Sequence, residues 1–128
     1  MELILENITT LRAFESFTGL VELSVVRCKV DRIEGLSQLP SLKHLWLSEN
    51  KINKLEGFDG CAKLEKLILY NNAITRIDNL SPLVCLQELD LSQNKIEVVE
   101  NLDTLRHLRK LNLALNLIER IGSRLALL

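Results

Sequence analysis

The sequence repeats itself every 22 residues from Leu20 to the C-terminal end of the chain. A leucine opens each of five successive units, and apolar residues recur three and five positions later in every unit. The opening leucines are Leu20, Leu42, Leu64, Leu86 and Leu108. A fixed period of this length predicts a solenoid, because each unit is too short to bury its apolar face except against its neighbours.

The second unit, residues 42–63, shows how one repeat is expected to fold. Outward and inward side chains alternate near its beginning, from His44 to Ser48, which predicts a short β-strand. Apolar residues then follow at intervals of three from Ile52 to Cys61, which suits a tight turn and a 3₁₀ or short helical segment. Since strand and return must close within one unit, the strands of successive units are expected to lie side by side and parallel.

Two further positions of the unit carry residues suited to turns. The ninth position is asparagine in four units, and its amide can satisfy buried backbone groups where the chain leaves the strand. We therefore expect a structural ladder of amides, formed by Asn50, Asn72, Asn94 and Asn116. The sixteenth position is glycine or asparagine, which favours a left-handed corner, at Gly35, Gly57, Asn79 and Asn101.

The pattern LxxLxLxxNxIxx[IL]xxLxxL, as in residues 64–83 and 86–105, resembles the leucine-rich repeat. The period and the Ile-x-x-Ile after the asparagine are similar to the subclass typified by the regulatory subunit of protein phosphatase 1. The resemblance implies an α/β solenoid, a right-handed superhelix with a concave parallel β-sheet and 3₁₀ or short helical turns on its convex side. It also implies an intracellular or ciliary scaffold that binds proteins. The sequence departs from the pattern at Cys28, Cys61 and Arg124.

The length and the phase of the repeats predict one domain covering residues 1–128, since domains usually have about 100–200 residues. Its parts would be a partial N-terminal repeat at 1–19, full repeats at 20–41, 42–63, 64–85 and 86–107, and a last, phase-losing repeat at 108–128. Within the partial repeat, the spacing of Leu11, Phe14 and Phe17 predicts a short helix between Thr10 and Thr18, closed by Gly19.

Neither end of the repeat array shows the polar outer face that a terminal solenoid unit needs. Two interpretations stay open: Leu125–Leu128 fold over the last coil as a minimal cap, or the chain is a segment of a longer protein. The second is favoured, and it predicts weak self-association through the open ends.

The charges of the chain nearly cancel, with 16 basic and 17 acidic residues. The chain as a whole therefore lacks the strong positive field that favours nucleic acid or an anionic membrane. No apolar run approaches the roughly 18–20 residues needed to cross a bilayer, and the acidic start is unlike a secretory signal. Three unpaired cysteines suit a reducing compartment. We therefore expect an intracellular, cytoplasmic protein, with ciliary and nuclear compartments left open.

The alternation of the strands directs the third, fifth, seventh and eighth positions of each unit outward, onto the concave face. Val26, Trp46, Ile68 and Tyr70 should then form an apolar and aromatic patch on adjacent strands. A rim of charged and polar side chains should surround it: Glu22, His44, Lys66, Glu88 and Asp90. Isolated surface hydrophobics are ordinary, but clustered aromatics inside a polar rim are typical of protein-binding hot spots.

Nothing in the sequence indicates catalysis. The two histidines, His44 and His107, have no nucleophile in a triad-like arrangement, and no phosphate-binding loop is present. The cysteine spacings match no zinc pattern, so we expect no metal, no cofactor and no small-molecule substrate. A basic edge beyond the asparagines is better explained as a solvated, acid-balanced surface than as a nucleic-acid site; it comprises Lys29, Lys51, Lys95, Arg32, Lys54, Arg76 and Arg120.

These observations together predict a non-enzymatic interaction module or scaffold that binds a protein partner through its concave sheet. Trp46 and Tyr70 would anchor the partner, whose identity the sequence does not give. Three alternatives stay open: a ribonucleoprotein component, a ciliary or cytoskeletal structural segment, and a regulatory subunit of an enzyme such as a phosphatase.

Overall fold

The computed structural model describes residues 1–4 and 7–122, and it describes the side chains of these residues except those of 3 and 4. Arg124 and the segment Leu125–Leu128, including its suggested capping role, therefore lie outside the described residues. Eight strands follow one another along the described chain: β1 (Glu2–Ile4), β2 (Glu22–Val26), β3 (His44–Trp46), β4 (Lys66–Ile68), β5 (Glu88–Asp90), β6 (Val98–Val99), β7 (Lys110–Asn112) and β8 (Arg120–Ile121).

Six of these strands form one parallel sheet in the order β1-β2-β3-β4-β5-β7. Each strand pairs with the equivalent residues of the next unit, so that Leu45 lies opposite Leu67 and Leu67 opposite Leu89. Because the register advances by one repeat at every step, equal positions of successive units form columns across the sheet. The predicted solenoid with a parallel sheet on its concave side is confirmed.

The convex side is built from turns and short 3₁₀ segments, and the described residues contain no α-helix. The 3₁₀ segments are Leu11–Phe14 and Leu36–Gln38, and β6 pairs with β8 in a small second sheet. The helix predicted between Thr10 and Thr18 is thus wrong in extent. It ends at Phe14, Phe17 is 46% exposed, and Gly19 does not adopt the left-handed conformation. Only Leu11 and Phe14 of this apolar series reach the core, so nothing holds a further helical turn.

The core is a continuous stack of leucines and isoleucines between the sheet and the convex turns. Side chains at the fourth position of the inner units, such as Leu45, Leu67 and Leu89, are completely buried, and Cys61 occupies a buried slot that leucine fills in other units. Leu111 holds the same position in the last described coil but is 36% exposed. The difference follows from stacking, because an inner leucine is covered by coils on both sides.

The amides of the asparagine ladder bridge neighbouring coils. Asn94 Nδ2 lies 3.1 Å from the carbonyl oxygen of Leu69 and 3.0 Å from that of Leu91, and Asn94 Oδ1 accepts from the amide of Ile74 at 3.0 Å. Asn50, Asn72 and Asn116 make the equivalent bonds in their own coils. In the first full unit Cys28 takes this position, with its sulfur 3.6 Å from the carbonyl oxygen of Val26.

Left-handed backbone recurs at two positions of the unit, and it occurs once more at Gly60. At the sixteenth position it falls on glycine or asparagine, as the residue types favour. A Cβ at Gly57 would collide with the carbonyl oxygen of Ile33, so glycine is required there. The eighth position is also left-handed, although the residues there are Arg27, Glu49, Asn71, Gln93 and Leu115. Four of their amides donate to the next coil, as Glu49 does to Tyr70 at 2.9 Å, which offsets the conformational cost.

Candidate functional site

A cavity of about 560 Å³ opens on the concave face over strands β1 to β3. Its walls include Glu2, Glu22, Ser24, Trp46, Ser48 and Tyr70. Val26 and Met1 complete the lining. The size falls within the range of about 300–1,000 Å³ that is common for ligand sites. The hollow combines two aromatic rings with carboxylates and hydroxyl groups.

The cavity arises from small side chains placed beside large ones in the columns of the sheet. Ser24 pairs with Trp46 across strands β2 and β3, and Glu2 pairs with Ser24 on the other side. Ser48 lies two residues beyond Trp46 and on the same face. Because the serines do not reach as far as the aromatic rings, a hollow remains in front of them.

Tyr70 is held in place by a charged network at the wall of the cavity. Its hydroxyl donates to Glu49 Oε1 at 2.8 Å, and Arg27 Nε donates to Glu49 Oε2 at 2.6 Å. The hydrogen bond from Tyr70, followed by that from Arg27, lowers the pKa of Glu49. The same bond to Glu49 raises the pKa of Tyr70, and the hydrogen bond to Glu49 raises the pKa of Arg27. The phenol ring is therefore oriented before any partner binds.

Trp46 has polar neighbours on its own and the next strand. The His44 ring meets the indole edge-on with 5.8 Å between centroids, and Lys66 Nζ lies 5.8 Å from the centroid of the Trp46 ring. His44 Nδ1 is also 3.6 Å from Glu22 Oε1. Trp46 is only partly buried. Its neighbours thus hold it as a semi-exposed ring, the type of residue that dominates many interfaces.

The structure places the predicted site residues in four groups. Val26, Trp46, Tyr70 and Glu22 line the cavity, while His44 and Lys66 contact Trp46. Ile68 shares the column of Trp46 but is only 9% exposed, so it offers little free surface.

Glu88 and Asp90 lie further along the sheet, on β5, and do not line the cavity. Glu88 is 3.9 Å from Lys110, and Asp90 accepts from the hydroxyl of Ser92 at 2.6 Å. The cavity is thus shifted toward β1 and β2 from the centre of the patch predicted from the sequence.

Six residues that line or support the cavity were not among the predicted site residues: Met1, Glu2, Ser24 and Ser48 in the lining, and Glu49 and Arg27, which orient Tyr70. The two serines could have been predicted from the sequence, since a small residue beside an aromatic one in a column of the sheet predicts a hollow. The pairing of Arg27 with Glu49 was harder to predict. The only indication in the sequence is that both residues occupy the eighth position of successive units.

Metal binding and thiol reactivity depend on the histidine, cysteine and acidic side chains among the described residues. No group of three or more histidine, cysteine, aspartate or glutamate side chains among them could hold a metal ion. Burial, with a smaller contribution from Asp59, raises the pKa of the Cys61 thiol to about 11, so that it stays protonated at neutral pH.

Within the described part of the chain, no helix is long and apolar enough to cross a membrane.

The basic edge is partly balanced by acids of the following coil. Arg32 Nε lies 3.6 Å from Glu56, and Arg76 Nη2 lies 4.0 Å from Glu100. These are exposed pairs, whose effect on stability is small. They nevertheless reduce the positive potential of this edge.

Comparison with known proteins agrees with this architecture. The family model for leucine-rich repeats, in two copies, matches residues 18–60, 40–83 and 62–103, which together span more than half of the chain. No curated protein sequence matches the chain at a significant level.

Two solved structures from Listeria monocytogenes share the fold. An internalin, InlF, superposes with a TM-score of 0.78 at 22% identity, covering 93% of this chain and 39% of its own. The functional domain of InlJ, described as including a cysteine ladder, superposes with a TM-score of 0.73 at 25% identity, covering 90% of this chain and 27% of its own. The chain thus spans well under half the length of either protein. The family match and the stacked parallel strands agree, and the chain belongs to the leucine-rich repeat family.

Proposed function

We propose that this chain is a non-enzymatic interaction module that binds a protein partner through the cavity on its concave sheet. The observation that supports this most directly is the position of Trp46 and Tyr70, the only tryptophan and the only tyrosine of the chain. Both rings line the same hollow, and neither is needed to fill the core. Leucine-rich repeats are in general protein-binding modules, which agrees with this assignment.

The mechanism is recognition by a preorganised surface. The sheet is fixed by the buried columns beneath it, and Tyr70 is oriented by Glu49 before binding. Few side chains then lose freedom when the partner docks, so a small number of contacts suffices for affinity. Trp46 and Tyr70 act as anchors, with Val26 beside them and Glu22, His44 and Lys66 setting the charge that the partner must match.

Site-specific photo-crosslinking tests this assignment. A photoreactive amino acid at Lys66, beside the cavity, should trap the partner from cell extract, whereas the same group at exposed Thr104, outside the concave strands, should not. Trapping at Lys66 should fall when Trp46 and Tyr70 are both replaced by alanine. The matched control is Phe17→Ala with Val84→Ala, since these exposed apolar residues lie outside the concave sheet. Crosslinks at Thr104 alone would place the binding surface elsewhere.

The finer assignments rest on sequence arguments. Three cysteines without a disulfide-like spacing suit a reducing compartment. Together with the resemblance to intracellular scaffolds, they support a cytoplasmic location. The resemblance to the phosphatase 1 regulatory subunit supports regulation of a phosphatase as a second role, and the same class suggests ciliary or cytoskeletal assemblies. A ribonucleoprotein role is disfavoured by the acid-balanced edge at Arg32 and Arg76, and steeply salt-dependent RNA binding would revive it.

The exposed apolar residues of the last described coil support weak self-association of this chain. They comprise Leu111, Leu115, Leu117, Ile118 and Ile121. Analytical ultracentrifugation should show a concentration-dependent rise in mass. A clean monomer at high concentration would rule this proposal out.

A further inference from the structure

We propose that the concave cavity accepts an arginine side chain of the partner protein, an inference that rests on the protein-binding function proposed above. The side chains that line the cavity include two acidic ones and no basic one. The acidic residues Glu2 and Glu22 line the hollow, together with Ser24 and Ser48. These groups accept hydrogen bonds, and a cation with several donors would match them.

The two carboxylates have no strong cation partner among the described residues. Glu22 contacts only the imidazole of His44, at 3.6 Å, and no ion pair involves Glu2. The Met1 ammonium reaches the rim, but it donates to the backbone carbonyl of Glu22 at 3.1 Å. The nearby carboxylate of Glu49, by contrast, is fully engaged by Arg27 and Tyr70. Negative charge at the cavity is therefore left for an incoming group.

Ser48 provides the second, independent observation. The residue is only 2% exposed, and its hydroxyl oxygen has no hydrogen-bond partner within the described part of the chain. A buried hydroxyl without a partner is costly and rare in folded proteins. Ser48 lines the cavity, but its oxygen is closed off from solvent in the free chain. A rotation of the side chain about the Cα–Cβ bond would turn the hydroxyl toward the hollow, where a donor of the partner can satisfy it.

Arginine fits this lining better than lysine does. Its guanidinium is planar, stacks on aromatic rings and carries five N–H donors in a fixed array. Trp46 already has the Lys66 ammonium near its ring, which shows that the indole tolerates a cation. Lys66 belongs to β4 and is not part of the cavity lining, so the side facing Glu2 and Glu22 is left for the partner.

The test begins with selection of cyclic peptides displayed on phage against the purified full chain. Enriched peptides should contain arginine. Replacing that arginine by citrulline, its neutral analogue, should weaken binding at least about tenfold in calorimetry, because charge-assisted hydrogen bonds are lost. Glu22→Gln should weaken the arginine peptide by a similar factor and the citrulline peptide by less than about twofold. Glu88→Gln is the matched control, because Glu88 occupies the same unit position three strands away, and it should change neither affinity.

The outcomes separate this inference from the proposed function. Peptides that depend on Trp46 but contain acidic or only apolar residues, or that tolerate citrulline, would overturn the arginine assignment and leave the docking face intact. Peptides whose binding survives Trp46→Ala would overturn both. A selection that yields no binder above the level of a blank surface would also count against both.

Discussion

Replacing Asn94 by alanine tests how the ladder holds neighbouring coils together. Asn94 is 6% exposed and lies in the middle of the repeat array. Its Oδ1 is the hydrogen-bond partner of the Ile74 amide, and its Nδ2 donates to the carbonyl oxygens of Leu69 and Leu91. Alanine removes these three bonds without disturbing the leucine columns. It also removes the contact from Nδ2 to the carbonyl oxygen of Ser92 at 3.0 Å, which shares one of the two amide hydrogens. We expect a large loss of stability from a single polar side chain.

The magnitude follows from which groups keep a partner. The carbonyl oxygens of Leu69 and Leu91 retain bonds from Asn72 and Asn116, so each loses only one of two, at about 0.5–1.5 kcal/mol. The Ile74 amide keeps none, and an unsatisfied buried donor costs about 1–3 kcal/mol. The sum predicts that the free energy of unfolding falls by about 2–6 kcal/mol.

Urea denaturation followed by circular dichroism measures this change. Asn53→Ala is the matched control, because Asn53 is exposed and outside the ladder, and it should alter stability by no more than about 0.5 kcal/mol. An Asn94→Ala variant as stable as the control would refute the ladder as a source of stability. Asn94→Asp should be at least as unstable at neutral pH, since a carboxylate would face two carbonyl oxygens. It should recover as the pH falls, because protonation restores one donor.

Three further predictions concern the core, the thiols and Tyr70. Leu67→Ala should lower the free energy of unfolding by about 2–5 kcal/mol, because it empties a slot between two coils; an unchanged melting curve would contradict the register. Of the three thiols, exposed Cys85 should react rapidly with a disulfide reagent, while buried Cys28 and Cys61 react only on unfolding; two fast thiols would contradict the packing. Tyr70→Phe should raise the pKa of Glu49 toward its ordinary value in an NMR titration. Because the pKa of Glu49 is lowered in the folded chain, the interaction stabilises the fold at pH values above the ordinary pKa of a glutamate. This stabilisation is lost as the pH falls through the lowered pKa. A Glu49 pKa unchanged by the substitution would show that the bond to Tyr70 is unimportant.

The repeat period was sufficient to predict the stacking and the register, since only one alignment of units places the recurring leucines of the inner units inside. The parallel pairing of Leu45 with Leu67 and of Leu67 with Leu89 follows directly from it. The extent of the N-terminal helix did not follow, because the spacing of Phe17 suits the core but the chain leaves it uncovered. Local periodicity does not say which residues a neighbouring coil will cover.

The candidate site was only partly predictable for a related reason. Strand alternation places Trp46, Ile68 and Tyr70 on one face, but it does not give the area that each neighbour covers. Ile68 is largely covered, whereas the small side chains of Ser24 and Ser48 open a hollow. The left-handed eighth position was also missed, because residues such as Arg27 and Gln93 give no local sign of that conformation. It is imposed by the hydrogen bonds between coils.

Trp46 is the only tryptophan of the chain, so its fluorescence reports directly on the proposed docking cavity. Acrylamide quenching of this fluorescence, with and without a selected peptide, is the most direct single measurement. A partly exposed ring in the free chain should be readily quenched and should become protected when the cavity is filled. A tryptophan that is inaccessible in the free chain, or equally quenched with the peptide bound, would contradict binding at the concave face.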